Sequence, residues 1–267
     1  MPVVSAGEIE LSYERRGSGP PLLLIMGLSG SALTWGEPFL ERLRRDFETI
    51  VYDHRGVGQS SRMEEPFTIA QLAVDALGLL DALGIGSVHV LGVSMGGMVA
   101  QELALSHPER VRTLTLGCTY CGGDGSSRAS PEVTQRLAEG SASGDRERAV
   151  RAYWEANVSV GFAEDANAYA IYCANALKRR VAIAVIAAQL QAIAAHETLT
   201  RLHQLMMPTL IVHGAADQII PVGNAHLIAA QIPGSRLEIL DGVGHLFFLE
   251  RPERSAELVR EHAAIPA

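Results

Sequence analysis

Basic charge, cysteine and long apolar runs are all scarce in this chain, and each shortage argues against a class of function. Lys and Arg number 22 against 30 Asp and Glu, for a formal charge of −8. No basic cluster interleaved with aromatics appears, so a nucleic-acid partner is not expected and the acidic excess serves solubility. Three cysteines cannot all pair within one chain. Cys118 and Cys121 form a Cys-x-x-Cys, but no second Cys or His pair at zinc spacing follows, and the glycines after Cys121 suggest a loop. Free thiols are expected there, and no metal. The most membrane-like stretch, Val181 to Ala195, is too short to span a bilayer and carries Gln189 and Gln191, so it reads as a packed alanine-rich helix. The start, Met1-Pro-Val-Val-Ser-Ala-Gly-Glu8, lacks the basic residues and apolar run of a secretory signal; a cytoplasmic protein with no membrane partner is the expectation. His-Glu-x-x-His, Gly-x-x-x-x-Gly-Lys and a Gly-x-Gly-x-x-Gly after the first strand are missing as well, and no cofactor is expected.

What the chain does have is length and apolar content. Its 267 residues, 48% of them hydrophobic, suffice for one sizeable domain with an insertion. Glu8 to Arg15 alternates Ile9, Leu11 and Tyr13 with polar residues, the period of a strand with one wet face. Leu22 to Met26 is a continuous apolar run suited to a central strand. Strands are also expected at Thr49 to Tyr52, Val88 to Val93, Val111 to Leu116, Thr209 to His213 and Arg236 to Leu240. Helical patterns alternate with them, one opened by a capping box of Thr68 and Gln71. This rhythm implies an α/β fold: a mostly parallel sheet with right-handed crossovers and helices on both faces.

From about Tyr120 to Leu205 no convincing strand occurs. Helices are expected over Glu132 to Glu139, Arg146 to Asn157, Glu164 to Lys178 and Val181 to His196, with Gly140, Gly144 and Gly161 as breaks. The division is therefore a core of residues 1–119 and 206–267, with 120–205 a helical cap, or lid, above the carboxyl ends of the strands, where ligands bind in open α/β folds.

The chemistry centres on Gly92-Val93-Ser94-Met95-Gly96, where an apolar strand ends in glycines around one serine and a helix begins. Such a turn would strain Ser94 and expose its hydroxyl, with the helix N-terminus facing any anion formed there. A serine nucleophile needs a base, and the base an acid that sets its tautomer. Among nine histidines, His245 in Asp241-Gly-Val-Gly-His245 follows the last strand and should lie at the same sheet edge as Ser94. His213, ending a strand, is its serious rival; His89 reads as core or edge structure, and His107, His226 and His262 as surface. Asp217, in the loop after the strand ending at His213, is the expected acid, since Asp241 stands too near His245. Developing oxyanion charge requires two amide donors, expected from Met95 and from Leu28 in the Gly27-Leu28 loop.

These motifs, together with Asp53-His-Arg-Gly-Val-Gly-Gln-Ser60, His107-Pro-Glu-Arg-Val111 and Glu250-Arg-Pro-Glu253, resemble those of the α/β-hydrolase superfamily across essentially the full chain. The order Ser94, Asp217, His245 is that superfamily's order. The resemblance implies an eight-stranded sheet and a structural role for the Asp53–Ser60 loop. Leu79 to Ile85 and Ser94 to Val99 look like the cofactor-free group of esterases and 3-oxoadipate enol-lactonases. One departure is Met26-Gly27 where many relatives carry His-Gly.

The expected function is hydrolysis of a carboxylic ester or lactone through an acyl-enzyme. A carbon–carbon bond hydrolase or a cofactor-free perhydrolase would keep the same triad, and a non-catalytic small-ligand receptor would keep the pocket. Serine at position 94 argues against dehalogenase and epoxide hydrolase chemistry, which want an acid there. Trp35, Met95, Tyr120, Trp154, Tyr169, Tyr172, Leu246 and Phe247 are candidates for a mainly apolar pocket. No Arg or Lys is evidently placed to grip a carboxylate, which favours a neutral substrate of modest size. Nothing in the sequence specifies an oligomeric state.

Overall fold

The apolar runs become one twisted sheet. The computed structural model describes residues 1–63, 65–178 and 181–265. Its strands are β1 (Val3–Ala6), β2 (Ile9–Gly17), β3 (Pro21–Ile25), β4 (Glu48–Tyr52), β5 (Val88–Val93), β6 (Val111–Gly117), β7 (Thr209–Gly214) and β8 (Arg236–Leu240). They lie in the order β1-β2-β4-β3-β5-β6-β7-β8. β1 and β2 pair antiparallel, as do β2 and β4, and every other pairing is parallel. The short β1 has no counterpart in the apolar patterning; its pairing with β2, Val4 opposite Leu11, creates it.

The helices are α1 (Glu37–Leu43), α2 (Ile69–Ala82), α3 (Met95–Ser106), α4 (Pro131–Ala142), α5 (Arg146–Asn157), α6 (Val160–Ala163), α7 (Ala166–Lys178), α8 (Ile183–Ala195), α9 (Gly223–Gln231), α10 (Phe247–Glu250) and α11 (Pro252–Ala263). The Thr68–Gln71 capping box opens α2, with side chain and backbone bonding reciprocally. Between β6 and β7 the described residues form helices α4 to α8 and no strand. Gly140 is not a break between helices but lies inside α4, where a β-carbon would stand 2.8 Å from Ala152 Cβ of α5. Gly161 likewise sits within the single turn of α6, whereas Gly144, at φ 71°, does end its helix.

Successive strand residues feed two cores, because side chains alternate across a strand. Leu23, Ile25 and Val90 join α2 and α3 in one cluster; Leu22, Leu24 and Leu91 join Phe39 of α1 and Leu258 of α11 in the other. Each of these leucines is at most 1% exposed, and burying one contributes roughly 2 kcal/mol. Parallel register aligns the strand ends: Ile25 lies opposite Gly92, Val93 opposite Gly117, and Gly117 opposite Val212. The loops leaving β3, β5, β6, β7 and β8 therefore meet at one edge. No described helix is long and apolar enough to cross a membrane.

Candidate active site

Ser94 sits between β5 and α3 with φ 59° and ψ −126°, a left-handed backbone that costs a non-glycine residue energy. Its surroundings hold it there. The Ser94 N–H donates to the Gly117 carbonyl at 2.9 Å, and the Thr119 hydroxyl donates to the Ser94 carbonyl at 2.7 Å. A β-carbon on Gly92 would run into the Gly96 carbonyl, and one on Gly96 into the Ile25 carbonyl. Both glycines are thus required for β5 to turn into helix α3 at Ser94.

His245 is buried, and its Nδ1 lies 2.6 Å from Asp217 Oδ2. The other oxygen of Asp217 accepts the N–H groups of Ile219 and Ile220 at 2.8 and 2.9 Å. Burial pushes this carboxyl up, but the charge of His245 and hydrogen bonds from His213 and His245 outweigh it and hold Asp217 well below the usual carboxylate range. His213, the rival histidine, is fully buried; its Nε2 lies 2.7 Å from the Ile220 carbonyl and 3.3 Å from Asp217 Oδ2. It backs the carboxylate and does not reach the cavity that Ser94 and His245 share. His89 is buried beside Thr113, as its strand position implies. His262 corrects the surface expectation: it is 1% exposed, with Nε2 3.1 Å from the carbonyls of both Leu114 and Pro208.

Cys118 Sγ, Asp217 and His245 offer donor atoms within 4.8 Å of one another. Burial and the nearby Asp217 charge push the Cys118 thiol well up. Cys118, Cys121 and Cys173 are all free thiols.

The loop after β3 passes directly against the serine. A β-carbon on Gly27 would stand 2.8 Å from Ser94 Cβ and 3.2 Å from its Oγ. The next amide, Leu28, and the first amide of α3, Met95, have no acceptor among the described residues. Ser29 N–H is tied to Gln189 Oε1 of α8 at 2.8 Å. Asp53 and Arg55 have structural partners: Asp53 Oδ1 accepts the Ala32 N–H at 2.8 Å, and Arg55 makes two hydrogen bonds of 2.7 and 2.6 Å to Asp75.

A family model described as alpha/beta hydrolase fold matches residues 20–252. The chain belongs to that family. This hydrolase is 32% identical over 265 residues to RutD of Azorhizobium caulinodans, named as a carbamate hydrolase, with 97% of each chain covered. It is 33% identical over 272 residues to a poly(3-hydroxyalkanoate) depolymerase of Ectopseudomonas oleovorans, covering 90% of this chain and 82% of the relative. Among solved structures it is similar to the enol-lactonase of Burkholderia xenovorans LB400, with 25% identity, a TM-score of 0.86, and 99% and 100% of the two chains covered.

The hydrolase carries a cavity of about 1460 Å³ between the strand-end loops and helices α4, α5, α7 and α8. That exceeds the roughly 300–1,000 Å³ of ordinary ligand pockets and is more room than a modest substrate needs. Of the pocket candidates, Tyr120, Trp154, Tyr172 and Leu246 line it, and Leu28 lies on the wall beside them. Trp35, Met95, Tyr169 and Phe247 do not. Trp35 is fully buried against Phe39 and Phe248, with ring centroids 6.0 and 4.8 Å away, and Met95 turns its side chain into the core. Tyr169 packs on Trp154 at 6.1 Å with the Arg151 guanidinium 4.7 Å over its ring. Phe247 fills the space beside Gly117 and meets Phe248 edge-on. Arg128 and Arg146 line the wall although sequence position singled out neither. Their signal was faint: one follows a loop, the other opens α5 on its exposed side.

Proposed function

We propose that this hydrolase cleaves a carboxylic ester or lactone through an acyl-enzyme, with Ser94 as nucleophile, His245 as base and Asp217 as acid. The observation carrying this reading is the 2.6 Å Asp217–His245 contact at the cavity that also exposes Ser94 on a strained turn. Asp217 would fix the Nδ1–H tautomer, leaving Nε2 to take the Ser94 proton as Oγ attacks the carbonyl carbon. The free amides of Leu28 and Met95, the second at a helix N-terminus, suit the oxyanion that forms. Collapse expels the alcohol with the proton from His245, and water repeats the sequence to release the acid. Residues 120–205 act in this scheme as a cap that closes the acyl pocket.

The relatives support hydrolysis but differ in the bond they are named for, so the test must compare bonds. Purified protein is assayed with p-nitrophenyl esters, a lactone panel and a phenyl carbamate. Ester or lactone turnover that is lost in Ser94→Ala is the expected result. Turnover of the carbamate alone would replace it.

A further inference from the structure

Helix α8 is apolar on two faces, and protein covers one. No charged residue occurs from Ile183 to Ala195. Val185, Ala188, Gln189 and Ala192 form the buried face, with Ala188 and Ala192 in the core and Val185 against Gly56. Ile183, Ile186, Leu190 and Ile193, spaced three and four residues apart, form a second stripe on the cavity wall. A helix that is apolar all round is ordinarily buried all round. Here Ile183 is 85% exposed and Leu190 49%. Ile171 of α7, also on the wall, is 51% exposed, and α7 has no buried residue at all.

The stripe has a direction. At its inner end the Tyr120 hydroxyl donates to the Ile193 carbonyl at 2.6 Å, and Tyr120 adjoins Thr119, which holds the Ser94 carbonyl. At its outer end Ile183 faces solvent. From Ile183 to Ile193 the helix rises about 15 Å. An extended alkyl chain with C–C bonds of about 1.5 Å needs roughly a dozen carbons to span that.

We infer that the second face of α8 is an acyl track, and that the substrate is an ester of a medium-to-long aliphatic chain running from Ser94 along Ile193, Leu190 and Ile186 to Ile183. This rests on the proposed ester chemistry and names its substrate class. The occupant is the substrate's own chain because the stripe is continuous with the wall that holds Ser94 and His245.

The test is a series of p-nitrophenyl alkanoates from acetate to dodecanoate, each below its aggregation concentration. kcat/KM should rise about fourfold per methylene throughout the series, up to dodecanoate. Ile183→Gln with Leu190→Gln, both exposed positions that tolerate a good helix former, should cut the dodecanoate-to-butanoate ratio at least tenfold. Val74→Gln, 61% exposed on α2 and away from the cavity, should leave the ratio unchanged. A flat or falling chain-length profile, or a ratio untouched by the α8 double variant, overturns the inference while leaving ester hydrolysis standing. So does a double variant that alters sedimentation and not the profile, since α8 would then be an interface between copies. Absence of turnover with every ester overturns the function itself.

Discussion

Gln189, 160 residues along the chain from Ser29, accepts the Ser29 N–H at 2.8 Å and so ties helix α8 to the loop that carries the Leu28 amide. Gln189 is fully buried, and its Nε2 has no partner among the described residues. Gln189→Met keeps the volume and removes the acceptor. The expected cost is about 1 kcal/mol in urea unfolding, with kcat down about tenfold and KM little changed, because the amide donor loses its aim. A loss of stability with kcat intact would make the contact merely structural.

Gly27 faces Ser94 with no room for a methyl group. Gly27→Ala should reduce kcat by about a hundredfold or more, since either the loop amide or the serine must retreat. Thermal unfolding should change less than in Gly96→Ala, whose β-carbon meets the backbone of β3 and which is expected to fold poorly.

Asp217→Asn keeps the shape beside His245 and removes the charge that favours the Nδ1–H tautomer. The drop expected in kcat is about a thousandfold or more, measured with an ester that the wild type turns over. The same substitution at Asp241, which has no such contact with His245, should leave kcat within about twofold.

Acid should weaken the fold through His196. Burial, reinforced by the Arg201 charge, pushes this histidine down to about 4. Unfolded, it titrates near 6.5, so between those values the unfolded chain binds a proton that the folded one refuses. Stability is complete above about pH 6.5 and declines as pH falls toward 4. His196→Gln should lessen this decline in denaturant titrations, the rest coming from histidines such as His89, which burial likewise pushes down to about 4; an unchanged slope would remove His196 from the cause.

The strands and the glycine-flanked turn at Ser94 were legible because they rest on local patterns. Leu22 to Ile25 has to be central, and the glycines around Ser94 are required by backbone collisions that sequence spacing already implies. β1 was not legible from patterning: Val3–Ala6 is a short edge segment completed by pairing with β2. Aromatic residues were the poorest guide. Trp35, Tyr169 and Phe247 fall in the regions that border the pocket, yet each turns toward protein, and which face a loop or helix presents is settled by packing across the chain. His262 has the same history, drawn inward by the carbonyls of Leu114 and Pro208. Gly140 reads as a helix break by propensity but serves the close approach of α4 and α5.

The role proposed for Ser94 is that of nucleophile. Incubation with a fluorophosphonate followed by intact-mass and peptide mapping tests it directly. One adduct is expected, on Ser94, formed together with loss of ester turnover and missing in Ser94→Ala. An adduct on another residue, or full ester turnover by Ser94→Ala, would contradict it.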